Sequence, residues 1–278
     1  MASWLTTVTT DEPAARFAAL EGAPEQTVAV MAERADAALR TDQVQLAEHL
    51  AQRILDADPW EWRGVWLQGL AALSRSDPAA AVAAFNAVYG QLPGELAPKL
   101  ALAAACEAAG EPAVAERLYT TCARTDAAFV ATGQFGLARI AAQAGDRDAA
   151  LHALDRIPAT SRAYGDARRS RALLLAAALD PAHALQDLGQ AANELEQASL
   201  QPVERASLRI RLLESALVHV QAQGPQMAQE VGGVPAAELP LRRALESAYR
   251  DAARLATDGD RRVELVDKAN AVRPRTLV

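Results

Sequence analysis

Ala47, Ala81, Ala115 and Ala149 stand at a constant interval of 34 residues, and four positions after them come Ala51, Phe85, Tyr119 and Ala153. A recurrence of this length marks a two-helix unit that cannot bury its apolar face alone and stacks on copies of itself. The Ala-x3-aromatic pair falls in the second helix of each unit. The small residue lets paired helices approach, and the ring fills the space beside it. Gly69 lies twelve residues before Ala81, where a first helix needs a small side chain, and Pro93 lies twelve after it, where a unit closes. The interval predicts units at 27–57, 59–91, 94–125 and 127–157, each with a first and a second helix.

The interval is that of tetratricopeptide repeats, and composition agrees. Of 278 residues, 67 are Ala, while aromatics make up 4%. Ala is the best helix former and is depleted from strands, and no alternating strand-like run is present. Asp58-Pro59, Asp77-Pro78 and Asp180-Pro181 each read as a helix start, with a carboxylate cap and Pro in the first turn. Glu111-Pro112 is a weaker version. After Pro158 helical patterns continue at 161–179, 181–198, 203–222, 238–257 and 260–272 without the Ala-x3-aromatic signature. Gln223-Gly-Pro-Gln and Gly232-Gly233-Val-Pro235 bracket a poorly structured interior stretch. The expected fold is all-α: a right-handed alpha-alpha superhelix of tetratricopeptide repeats with divergent C-terminal helices. Its expected divisions are 1–23 as tail or linker, 24–157 as four repeats, and 158–278 as divergent repeats and a cap.

Charge and motifs narrow the function. Lys and Arg number 28 against 35 Asp and Glu, a net charge of -7, which leaves no basic surplus for a general nucleic-acid partner. Cys106 and Cys122, without a CxxC, read as small buried side chains of a reduced compartment. No run approaches the ~18 apolar residues of a membrane span, and no basic leader precedes an apolar segment, so a cytoplasmic location is expected. There is no phosphate loop, no kinase HRD or DFG, no GxSxG, and His49, His152, His183 and His219 lack metal spacing. No catalytic, cofactor-binding or metal residue is assigned. Gly133-Gln-Phe-Gly136 lacks the further glycine of a nucleotide fingerprint and reads as a helix-entry turn.

What remains is surface. Trp60, Trp62 and Trp66 cluster within seven residues and either seal the first unit on the second or line the inner face of the first helices. Trp and Arg dominate many interfaces, and from their places in first helices Arg63, Trp66, Glu107 and Gln134 are the candidate protein-binding groove. Arg168, Arg169 and Arg171, then Arg205, Arg209 and Arg211, form local basic patches that read as helix-surface ion pairing, with the holding of an acidic partner segment as the alternative. Glu95 and Lys99 are an i,i+4 pair.

Several segments give the chain a closer likeness: Trp60-Glu-Trp-Arg-Gly-Val-Trp66, the run Leu92-Pro-Gly-Glu-Leu-Ala-Pro-Lys-Leu-Ala-Leu-Ala-Ala104, Phe135-Gly-Leu-Ala-Arg139, Pro158-Ala-Thr-Ser-Arg162 and Leu265-Val-Asp-Lys-Ala-Asn-Ala-Val-Arg-Pro274. With these the chain resembles the C-terminal tetratricopeptide region of the actinobacterial protein kinase G family of serine/threonine kinases. The resemblance implies a regulatory, non-catalytic part. Its implied roles are packing on a kinase domain in cis or trans, self-association as a homodimer, and holding a forkhead-associated substrate protein. The family's paired CxxC motifs and kinase motifs have no counterpart in this sequence, so none of its catalytic or metal residues carries over. The alternative is a stand-alone tetratricopeptide adaptor that serves no kinase.

Overall fold

In the computed structural model, which describes residues 5–177 and 180–274, the Ala-rich segments wind into helices joined by short turns. The chain divides into two compact units, Met1–Ile140 and Ala141–Val278.

In the first unit α1 (Pro13–Glu21) precedes α2 (Val28–Arg40) and α3 (Val44–Ala57), α4 (Trp62–Ser74) and α5 (Pro78–Gln91), and α6 (Leu96–Ala108) and α7 (Pro112–Thr125). Helix α8 (Ala127–Gln143) begins in this unit and runs past its limit, so the fourth predicted repeat straddles the division. The repeat is written most plainly in the backbone. Asp42, Ser76, Gly110 and Gly145 all take positive φ, of 61, 58, 77 and 78°. The residue after each donates its N–H five residues back: Gln43 to Ala38, Asp77 to Ala72, Glu111 to Cys106 and Asp146 to Ala141, at 2.8, 2.8, 2.8 and 2.9 Å. This is a Schellman closure, in which a left-handed residue satisfies the orphan carbonyls of the ending helix. Asp77 and Asp146 then cap the next helix, accepting from Ala80 N at 3.1 Å and Ala149 N at 2.9 Å.

That turn corrects the register of the fourth repeat. Ala47, Ala81 and Ala115 are fully buried, each four residues after its helix cap. The residue four after Asp146 is Ala150, also fully buried, whereas Ala149 is exposed. One added residue shifts the interval, and the pair Ala150 and Leu154 fills the place expected for Ala149 and Ala153.

Phe85 and Tyr119 are wholly buried as expected, and glycines make room for them. A Cβ on Gly69 would lie 2.7 Å from the Phe85 ring, and one on Gly136 would lie 2.5 Å from Tyr119. Gly133 and Gly136 are therefore mid-helix contact residues of α8, and the expected helix-entry turn is absent there. Two other expectations fail at Pro. Asp58 ends α3, and Asp180 is followed by a turn. Helices α4 and α11 start later, after Glu61 and His183, because each Asp closes a tight turn onto the amide two residues on, Trp60 and Ala182. The stretch expected as a tail contains α1, held by fully buried Leu20, by Arg16 to Glu33 at 2.8 Å, and by Phe17 beneath the Arg34 guanidinium.

The second unit continues with α9 (Arg147–Asp155), α10 (Tyr164–Ala177), α11 (Ala184–Gln197), α12 (Pro202–Gln223), α13 (Glu238–Leu255) and α14 (Gly259–Val272). Its core is aliphatic, built on Leu188, Leu213, Leu241 and Leu245 with Tyr249. Between α12 and α13 the stretch expected to lack structure is an antiparallel hairpin, β1 (Gln226–Val231) and β2 (Val234–Ala236). Gly232 and Gly233, at φ 60 and 73°, form its two-residue turn, which such twisted hairpins require. Val231 and Ala236 plug the core, and the hairpin reaches α11 so closely that a Cβ on Gly189 would meet Glu230 O at 2.6 Å.

The basic patch at 168–171 is also corrected. Arg168 and Arg171 are buried around buried Glu194, at 3.3 and 2.8 Å. Arg171 donates to Leu151 O at 2.7 Å, Arg168 reaches Asp155 at 3.3 Å, and Tyr164 lies under the Arg168 guanidinium. Burying a guanidinium requires such company, because desolvation is offset only when charge and donors are met. Arg169 pairs with Glu204 and Arg205 donates to the last carbonyls of α11, while Arg209 and Arg211 stay exposed.

Candidate protein-binding groove

The first helices α2, α4 and α6 present one shared face in the first unit. Ala29, Ala32, Asp36 and Arg40 follow each other at helical spacing on α2, opposite Trp62, Arg63 and Trp66 of α4 and the start of α6 at Ala97 and Pro98. Together they line a groove of about 850 Å³, with Leu67 and Pro98 buried beneath it. Trp66 serves two purposes. It meets Phe85 edge-on with ring centroids 5.1 Å apart, and its remaining surface lines the groove. Trp62 carries the Arg63 guanidinium over its ring at 4.9 Å, and that guanidinium also reaches Glu61 at 2.9 Å. Around the rim Asp36 pairs with Arg40 and Glu33 with Arg16, both at 2.8 Å, whereas exposed Glu95 has no ion pair among the described residues. Lys99, expected beside Glu95, donates instead to the carbonyls of Pro93 and Glu95 and lies 5.2 Å from the Tyr89 ring centroid.

Of the four candidate residues, the structure brings Arg63 and Trp66 together in the groove. Glu107 is placed otherwise. Its carboxylate accepts two bonds from Arg139 of α8, both at 2.8 Å, and one from Tyr119 of α7 at 2.7 Å. Burial pushes the Glu107 carboxyl up, but the hydrogen bonds and charge of Arg139 and the Tyr119 hydroxyl bring it below the ordinary carboxylate value. The same burial, then Glu107, raises the Tyr119 phenol. Glu107 is thus a clamp across three helices, with its acceptors occupied. Gln134 is 6% exposed, and its Oε1 has no hydrogen-bond partner among the described residues. Glycines on either side draw α8 onto α7 and bury what a longer approach would leave open.

Asp36 and Arg40 are not singled out by residue type, Trp62 stands out only within the Trp cluster and Glu95 only as half of a surface pair, yet the interval points toward this face. A step of 34 carries Arg63 back to Ala29 and on to Ala97, and carries Glu61 to Glu95. Trp60, by contrast, is 80% exposed and outside the groove. Among the described residues no group of His, Cys, Asp and Glu could hold a metal ion, and no helix is long and apolar enough to cross a membrane.

Helix pairs closed by one recurring turn around an Ala-x3-aromatic core define a tetratricopeptide repeat protein, an architecture that binds other proteins. Its fold is shared with the tetratricopeptide repeat protein from Parabacteroides merdae, at TM-score 0.56 and 11% identity over 97% of this chain and 96% of that one. It is shared also with PilW, a type IV pilus biogenesis factor, at TM-score 0.54 and 15% identity over 72% and 94%. The chain belongs to the protein kinase G tetratricopeptide repeat family, whose model matches residues 3–276. Serine/threonine-protein kinase PknG of Mycolicibacterium smegmatis is 37% identical over 229 residues, 82% of this chain. PknG of Mycobacterium leprae is 37% identical over 220 residues, 78% of this chain. The chain spans 29% and 28% of the lengths of these two relatives.

Proposed function

We propose that the chain is the non-catalytic docking part of a protein kinase G-like serine/threonine kinase, and that it holds a polypeptide segment along the groove of α2, α4 and α6. The observation that carries this reading is the groove itself: two Trp and an Arg over an Ala-lined trough, on helices whose spacing is already fixed. A preformed surface loses little entropy on docking, so a few anchors suffice for binding. The segment belongs to the kinase domain, in cis or trans, or to a forkhead-associated substrate protein. Self-association and substrate selection are the two uses such docking would serve, and the cytoplasm is where it would occur.

Arg63→Glu is the informative variant, because Arg63 is half exposed and outside the core. The native chain, immobilised, should retain a protein kinase G kinase domain or a forkhead-associated protein, and the variant should retain roughly tenfold less, the loss of one good charged anchor. Retention of neither by the native chain would favour a stand-alone adaptor. Equal retention by both forms would move the contact off this groove.

A further inference from the structure

We propose that the second unit carries a binding site for a small amphipathic anion, an apolar body ending in a carboxylate, in a cavity between α12, α13 and α14. The site lies in the second unit, and the inference does not rest on the docking groove of the first.

The cavity encloses about 410 Å³, within the range of small-molecule sites. Ile210 and Leu265 are buried in its wall, and Val203 and Leu255 line it while remaining 57% and 38% exposed. Large apolar side chains open to water are the informative ones when they converge on one concavity.

The lining itself carries one more cation than carboxylate. It holds three cations, Arg211, Arg261 and Lys268, and two carboxylates, Glu214 and Asp258. Both carboxylates already accept hydrogen bonds from within the fold. Tyr249 donates its hydroxyl to Glu214, and Asp258 caps α14 by accepting from the amides of Asp260 and Arg261 at 3.3 and 3.1 Å. Arg261 and Lys268 share one carboxylate, Glu264, at 2.5 and 2.8 Å, and Glu264 is not part of the lining. Arg211 is exposed and has no ion pair among the described residues. Two cations on a single carboxylate, with a third unpaired, leave an excess of donors beside an apolar wall. An anionic head answers the donors, and an apolar body covers Val203 and Leu255. A neutral hydrophobe meets only the second need, and an amphipathic cation meets the second while its head is repelled by the first.

Saturation-transfer NMR titrations with octanoate, octanol and octylammonium separate these cases. Arg211→Gln removes an exposed charge, and Arg209→Gln removes an exposed charge of the same helix that does not line the cavity. Octanoate should bind the native chain and Arg209→Gln alike and Arg211→Gln roughly tenfold more weakly, the loss of one charge-assisted contact. Octanol and octylammonium should bind far more weakly than octanoate. No saturable octanoate binding, octanol binding as tight as octanoate, or equal affinity in Arg211→Gln would overturn the proposal.

Discussion

Residues 1–140 and 141–278 are nearly equal in length and both are built from successive helices, but they pack them with different side chains. The first unit fills half of its core clusters with Ala, 9 of 18 residues, and sets one large ring in each of two repeats, Phe85 and Tyr119, against glycine. The second draws 13 of the 22 residues of its core cluster from Leu, Ile and Val, inserts a hairpin, and buries an Arg–Glu–Arg cluster. Small contact residues leave one way for two helices to meet, so turn, cap and interval recur. Large ones admit many arrangements, and the interval dissolves. Charge divides the same way: 17 acidic against 10 basic residues in the first unit, 18 against 18 in the second. The whole excess of -7 belongs to the unit that holds the candidate groove.

The largest expected effect tests the second unit's buried charges. Glu194→Ala leaves Arg168 and Arg171 facing each other with exposed Asp155 as their one remaining carboxylate among the described residues, and should cost about 4 kcal/mol. Hydrogen exchange should accelerate first in peptides from α9, α10 and α11. A change within about 0.5 kcal/mol, the scale of ordinary surface substitutions, would mean that the cluster is solvated.

Next comes the first unit's reliance on absent side chains. Gly136→Ala drives a methyl into the Tyr119 ring, which is fully buried and hydrogen-bonded and so unable to yield. Denaturant unfolding should show a loss of about 2 kcal/mol. Gain of stability, as expected for Gly to Ala in an unobstructed helix, would mean that ring-against-glycine contact does not set the spacing of these helices.

The smallest effect is a pH dependence confined to the first unit. The Glu107 carboxyl lies below its ordinary value of 4.5 when folded. A depressed folded value means that its stabilising contribution is complete above 4.5 and is lost as pH falls below it. With Arg139 half exposed, that contribution is about 1 kcal/mol. Glu107→Gln should lower stability at neutral pH and flatten the acid limb below pH 4.5; a variant with the native acid limb would assign that limb to other carboxylates.

The same contrast governs how much of the fold is legible in the sequence. Ala47, Ala81 and Ala115 with Phe85 and Tyr119 announce the helix pairs, because packing by small residues forces a strict sequence rule. The turn is hidden at Asp42 and Ser76, since only Gly110 and Gly145 advertise a left-handed residue. Ala149 misleads because Ala150 stands beside it, and only the cap at Asp146 decides between them. Gly232-Gly233 carries a hairpin signal that short flanking strands make easy to miss. At the site, Arg63 and Trp66 are readable from their place on α4. Glu107 and Gln134 are not, because what removes them from the groove is a partner 32 residues away on α8 in one case and two flanking glycines in the other.

Hydrogen–deuterium exchange on the chain with and without a protein kinase G kinase domain tests the docking assignment most directly. Slowed exchange in peptides covering 28–40, 62–74 and 92–98 is the expected footprint. Protection confined to other segments, in a complex shown to form, would contradict it.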